Sequence, residues 1–130
     1  MSAPLVSVII PVRNYEQYIA AAIESILAQE FQDWELIVVD DNSTDRTNEI
    51  AARYQAAGKV RLIRNERRMG QFPTHNRGAE LARGKYLKFF HGDDVMYPHC
   101  LRTMVKCMEA VPQAGLGISQ IGRASCRERV

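Results

Sequence analysis

An α/β domain built on a parallel sheet is the fold class this sequence predicts, and three observations carry it. Apolar, β-branched runs alternate with segments of helical period in the order β-α-β-α-β-α-β. The first two runs are apolar almost without interruption, as strands covered on both faces are. Two acidic pairs, Asp40-Asp41 and Asp93-Asp94, closely follow strand-like runs. Strand C-termini share one edge of such a sheet, and ligands bind in the crevice there.

Taken in order, residues 5–11 (LVSVIIP) read as a strand buried on both faces. From 18 to 27, apolar residues at 19, 22, 23, 26 and 27 follow the helical period. Residues 34–39 form a second buried strand. A second helix covers 47–57, with Gly58 where a C-cap belongs. The third strand, 60–64, is polar enough to lie near an edge. A loop rich in Arg and Gly follows, 64–74, and Pro73 opens a third helix that runs to about residue 83. A fourth strand spans 85–90, and a last helix, 98–111, stops before Pro112. Right-handed crossovers and a strand order of 3-2-1-4 follow as the default. That order gathers Arg13-Asn14, Asp40-Asp41 and Asp93-Asp94 at one cleft.

With 130 residues the chain holds one domain. The formal charge is +2, but the last ten residues (IGRASCRERV) carry all of it. Without them the body has 14 basic and 14 acidic residues, so no global field recommends nucleic acid as a partner. This tail has no apolar period. It resembles the translation of a sequencing adapter, and we read 1–120 as the functional part and 121–130 as non-native. On that reading the encoded protein continues beyond this chain.

Cys100 and Cys107 lie seven apart in a predicted helix, about 10.5 Å along its axis, too far for a disulfide with each other. They read as small core residues in a reducing compartment. The N-terminus has no basic region before a long apolar run, and no segment approaches the ~18 apolar residues of a membrane span.

The first strand-helix turn, Pro11-Val-Arg-Asn-Tyr-Glu-Gln-Tyr, contains no glycine. A dinucleotide pyrophosphate cannot lie against such a turn as it does in a G-x-G-x-x-G loop. Nor is there a Walker loop or a nucleophile elbow. Carboxylates repel a diphosphate by about 4 kcal/mol at 4 Å and an effective dielectric near 20, so an acidic cleft binds phosphates through a divalent cation. All-oxygen ligands suit Mg²⁺ or Mn²⁺. Arg13 has a planar guanidinium suited to stacking on a base. The combination points to a nucleotide-sugar site.

Val6-Ser-Val-Ile-Ile-Pro-Val-Arg-Asn, Ser25-Ile-Leu-Ala-Gln, Trp34-Glu-Leu-Ile-Val-Val-Asp-Asp-Asn-Ser-Thr-Asp, Ala82-Arg-Gly-Lys-Tyr and Gly92-Asp-Asp together resemble glycosyltransferase family 2. The resemblance covers residues 6–111. It implies a Rossmann-like GT-A fold, a nucleoside-diphosphate sugar donor, most often a UDP sugar, and Mn²⁺ or Mg²⁺. It implies that Asp41 contacts the base, that Pro11 and Arg13 line its pocket, and that Asp93 and Asp94 match the ribose and metal motif, with Asp94 the metal ligand. The acceptor it implies is a saccharide or a lipid-linked saccharide. The location it implies is cytoplasmic, with peripheral association at the inner membrane face through segments outside this chain. Where the family often has an Asp two residues before the pair, this chain has His91, a candidate ligand or phosphate contact. The resemblance places the catalytic base in a second half, so no catalytic residue is expected here.

Blander readings stand beside these. Ser43, Thr44 and Asp45 read as caps for the second helix. Arg67 and Arg68 could hold a diphosphate but read first as an exposed basic loop, His75 and His99 as surface or helix residues, and Tyr15 and Tyr18 as packing. Leu101, Met104, Val105 and Met108 form a core stripe. Two alternatives to the enzyme remain: a fragment that at most binds nucleotide, and a receiver-type phosphoryl-transfer domain using Mg²⁺.

Overall fold

The computed structural model describes the backbone of residues 3–120 and 123–129 and the side chains of residues 3–115. Its elements run β1 (Val6–Val12), α1 (Ile19–Leu27), β2 (Trp34–Asp40), α2 (Thr47–Ala52), β3 (Val60–Arg64), α3 (Gln71–Leu81), β4 (Tyr86–Phe89), α4 (Cys100–Ala110), β5 (Leu116–Gln120) and β6 (Arg123–Arg129). The chain forms two compact units, Met1–Glu24 with Asp33–Asp94, and Ser25–Gln32 with Val95–Val130.

In the first unit a four-stranded sheet has the order β3-β2-β1-β4, as the alternation of elements predicts. Every pairing is parallel, with Val6 opposite both Trp34 and Tyr86 and Leu36 opposite Val60. All seven residues of β2 are buried, and all but Pro11 in β1, which is why both runs lack polar alternation. The outer strands β3 and β4 are only half-buried. On α1 the buried Ile19, Ala22, Ile23 and Ile26 keep the period read from the sequence. The expected second helix loosens into a 3-10 turn, Arg53–Ala57, closed by Gly58 at φ 80°. The third helix begins at Gln71, three residues before the expected loop ends; Pro73 sits in its first turn, where no intrahelical N–H is required.

The N-terminal edge of this sheet holds a buried polar knot. Glu35 Oε2 accepts from Ser7 Oγ at 2.6 Å and from the Arg83 N–H at 2.7 Å, while Oε1 accepts from Arg83 Nη2 at 3.1 Å. Ser7 Oγ in turn accepts from the Gly84 N–H at 2.8 Å. The Ala82-Arg-Gly motif thus ties the α3–β4 turn to the starts of β1 and β2. Burial alone would raise the Glu35 pKa; the bonds from Ser7 and Arg83 outweigh it and hold the carboxyl below its ordinary value.

The second unit is organised by the Ser25–Gln29 pair of the sequence motif, one helical turn apart. Gln29 is 2% exposed; its Nε2 donates to the Tyr97 carbonyl at 2.7 Å and its Oε1 accepts from the Leu101 N–H at 3.1 Å. Ser25 Oγ accepts from the Met96 N–H at 3.0 Å. Leu101 is fully buried, and Met104, Val105 and Met108 are half-buried along the expected stripe. The sequence predicts no element after residue 111, yet β5 and β6 pair antiparallel, with Leu116 opposite Arg129. Short polar strands stabilised by backbone pairing leave little apolar signal. Cys100 is not in a disulfide, but Cys107 is disulfide-bonded, which corrects its reading as a core thiol. The spacing argument weighed only the Cys100–Cys107 pair. Among the described residues no helix is long and apolar enough to cross a membrane.

Candidate functional site

The C-terminal edge of the four-stranded sheet opens into a cleft of about 400 Å³, at the point where the strand order reverses. Ladder bonds run to the very rim: the Asp41 N–H donates to the Val12 carbonyl at 2.8 Å, and the Asn65 N–H to the Asp40 carbonyl at 2.8 Å. Pro11, Val12, Arg13 and Tyr15 line the cleft from β1, Asp41 from β2, and His91 from β4. Arg68, Gly70, Gln71, Thr74 and His75 close it from the β3–α3 loop and the first turn of α3.

The two aspartates that end β2 have separate tasks. Asp40 is fully buried, and its carboxylate accepts from the Ser43 N–H at 3.1 Å, from Ser43 Oγ, and from Asn48 Nδ2 at 3.0 Å. Asp41 faces the cleft. Its Oδ1 accepts from the Met69 N–H at 2.7 Å and Asn65 Nδ2 at 2.9 Å, and its Oδ2 accepts from the Gly70 N–H at 3.0 Å. Gly70 reaches this geometry at φ 94°, a left-handed conformation that favours glycine. Burial raises the Asp41 pKa, but the bonds from Met69, Asn65 and Gly70 outweigh it and hold the carboxyl below its ordinary value. Asp41 is therefore a fixed anion that also pins the β3–α3 loop. The Thr74 side chain also hydrogen-bonds this carboxylate, so the fold supplies most of its donors.

The β1–α1 turn is locked to the β2–α2 turn through Asn14, itself at φ 59°. Its N–H donates to Ser43 Oγ at 3.0 Å, and its Oδ1 accepts from the Thr44 N–H at 2.8 Å. Of the three residues expected to cap α2, only Asp45 does so, accepting from the Thr47 N–H at 2.9 Å. Ser43 and Thr44 are instead used up by Asp40 and Asn14.

After β4 the chain packs close against β1. A Cβ on Gly92 would lie 2.6 Å from Val12 Cγ1 and 2.9 Å from Tyr15 Cδ2, so glycine is required at that approach. This seats His91 in the cleft. Asp93 and Asp94 follow in a turn closed by the Asp94 N–H to the His91 carbonyl at 3.2 Å. Both are exposed, and neither lines the cleft. The predicted set is thus brought together in part: Pro11, Arg13 and Asp41 share the cleft, while the acidic pair stands beyond it.

Three residues given blander readings in the sequence line the cleft: Tyr15, on the β1–α1 turn, and Arg68 and His75, after β3. Arg67 and Arg68 are both exposed, and of the two only Arg68 lines the cleft. His75 lines it too; its Nδ1 donates to the Gln71 carbonyl at 2.8 Å and its ring lies 5.3 Å from that of Phe89. For Arg68 and His75 the sequence signal was position after β3, on the same edge as Asp41.

For a divalent cation the fit is that of an open site. Among the described residues no three His, Cys, Asp or Glu side chains form a metal-binding group. Asp93 and Asp94 nevertheless offer two exposed carboxylates, the number Mg²⁺ takes where phosphates supply the remaining oxygens.

A Rossmann-like α/β sheet with a ligand cleft at its switch point defines the GT-A class of fold. The chain belongs to glycosyl transferase family 2, whose model matches residues 7–125. It is 33% identical over 104 residues to the Escherichia coli UDP-Glc:alpha-D-GlcNAc-diphosphoundecaprenol beta-1,3-glucosyltransferase WfgD, an alignment covering 80% of this chain and 41% of WfgD. Among solved structures it is similar to S. aureus TarS 1-349 in complex with UDP-GlcNAc, with a TM-score of 0.77 and 26% identity over 88% of this chain and 37% of that one. The fold is also that of the Pyrobaculum calidifontis mannosyltransferase PcManGT in complex with GDP-Man and Mn²⁺, with a TM-score of 0.81 at 24% identity over 92% of this chain and 37% of that one. The chain therefore spans well under half the length of each.

Proposed function

We propose that this chain is the donor-binding portion of a glycosyltransferase that moves a sugar, with inversion, from a nucleoside diphosphate to an acceptor hydroxyl. The observation that carries the reading is the cleft at the switch point, where a buried, ionised Asp41 lines the same space as Pro11 and Arg13. A carboxylate at the cleft wall suits an N–H of a base such as uracil, with Arg13 and Pro11 against the ring. Asp93 would contact the ribose, and Asp94 with Asp93 would hold Mn²⁺ or Mg²⁺ together with diphosphate oxygens. The ion would neutralise charge on the departing diphosphate. TarS, solved with UDP-GlcNAc, and WfgD, named for UDP-Glc, support a UDP sugar as the donor. WfgD also supports a saccharide on a lipid diphosphate as the acceptor class. We assign no catalytic base to these 130 residues.

Calorimetric titration with UDP and GDP, each with Mn²⁺ and with a chelator, tests the reading. UDP should bind more tightly with Mn²⁺. Failure of every nucleotide to bind with Mn²⁺ present would sink it.

A further inference from the structure

Asn65 is the first residue past β3, and it is fully buried although it belongs to no helix or strand. It does not line the cleft, yet both ends of its amide are used. Its Nδ2 donates to Asp41 Oδ1 at 2.9 Å and to Thr74 Oγ1 at 3.1 Å, and its Oδ1 accepts from Arg77 Nη1 at 2.6 Å. The same Arg77 nitrogen donates to the Arg64 carbonyl at 3.3 Å. Thr74 and Arg77 stand three residues apart on α3, so one face of that helix meets the amide at both ends. Arg77 is half-buried and, like Asn65, lies outside the cleft.

A guanidinium has only donors and an ionised carboxylate only acceptors, so the amide between them can stand one way round. Its oxygen must face Arg77 and its nitrogen Asp41. Turned over, it would set oxygen against carboxylate and nitrogen against guanidinium, leaving both charged groups unmet. The amide dipole thus lies aligned between a cation and an anion, and each bond strengthens the other. We infer that Asn65 and Arg77 are positioning residues for Asp41: neither enters the cleft, and together they fix the orientation of the carboxylate that lines it. What Asp41 then meets, an N–H of a base, rests on the proposed function; its placement by Asn65 and Arg77 does not.

The test is a carboxyl-carbon NMR titration of Asp41 in the 130-residue chain, with UDP affinity in Mn²⁺ measured by calorimetry between about pH 5 and 8. Asn65→Asp keeps the shape but sets a second carboxylate against Asp41. The Asp41 signal should then titrate at higher pH than in wild type. UDP affinity should fall by about tenfold or more at the alkaline end and recover as the pair takes up a proton. Arg13, Arg68, His75 and His91 line the same cleft in both proteins, so the difference between the two profiles belongs to position 65. Arg77→Met, which keeps the apolar stem and removes the donors, should move the Asp41 titration the same way by less and weaken UDP by about threefold. Ser7→Ala, a cut in the hydrogen-bond knot at the opposite edge of the sheet, should move neither. An Asp41 titration unmoved by Arg77→Met would overturn the inference even if Asn65→Asp fails to fold. Equal movement in Ser7→Ala would overturn it too, as a general loss of stability. An Asp41 signal that moves as expected, with UDP binding unaltered or absent, would uphold the positioning and defeat the contact between Asp41 and a base.

Discussion

Glu35 on β2 and Asp41 just past its end are both buried carboxylates, both held ionised by several hydrogen bonds, and they lie at opposite edges of the same sheet. At the N-terminal edge every group facing Glu35 belongs to the fold: Ser7, Arg83 and Arg61. At the C-terminal edge Asp41 is held by the fold as well but also lines an open cleft. Perturbed ionisation therefore does not mark a binding site here. The edge of the sheet does, because only there does the chain leave the ladder and open a crevice.

The comparison can be broken by substitution. Glu35→Ala should show the largest effect, about 3–5 kcal/mol of lost stability in urea unfolding, since it strands buried donors. The affinity of the remaining folded protein for UDP should stay unchanged; a parallel loss of binding would erase the distinction between the edges. Asp41→Asn should cost less stability, about 1–3 kcal/mol, because an amide keeps the shape but meets the Met69 and Gly70 N–H groups with fewer acceptors. Its UDP affinity should nonetheless fall by about tenfold or more, measured by calorimetry. Ser7→Ala sharpens the contrast at smaller cost, about 1 kcal/mol, by removing one bond to Glu35 and one from Gly84.

The contribution of these two carboxylates to stability is sensitive to acid only at low pH. Folding lowers the Glu35 and Asp41 pKa values below their ordinary 4.5 and 3.8. The unfolded chain then takes up protons first, so both contributions are complete above about pH 5 and are lost as pH falls through the folded values. Urea midpoints between pH 7 and 3 should fall less steeply in Glu35→Gln and in Asp41→Asn than in wild type. An unchanged slope in either variant would remove that carboxylate from the account.

Much of the frame was legible. The strand order followed from the alternation of apolar runs with helical periods, and order alone places the residues after β1, β2 and β4 at one rim. Arg13 and Asp41 were named on that ground and Pro11 from the family resemblance, and all three line the cleft. Arg68 could not be told from Arg67, and His75 was passed over, because a basic loop and a lone histidine have no periodicity to betray which way they face. Which of Asp40 and Asp41 looks outward was equally hidden: adjacent strand residues point to opposite faces, and only the packing of Ser43 and Asn48 around Asp40 decides between them. β5 and β6 escaped for a related reason, since their pairing is a backbone matter.

Pattern along the chain therefore determined the elements, their parallel sheet and the edge that carries the cleft, because burial on two faces writes itself into apolar runs. Tertiary structure alone decided which polar groups are consumed by one another and which stay available. Hydrogen bonds between residues 24 to 77 positions apart, such as Asn65 with Asp41 and Gly84 with Ser7, leave no local trace in sequence.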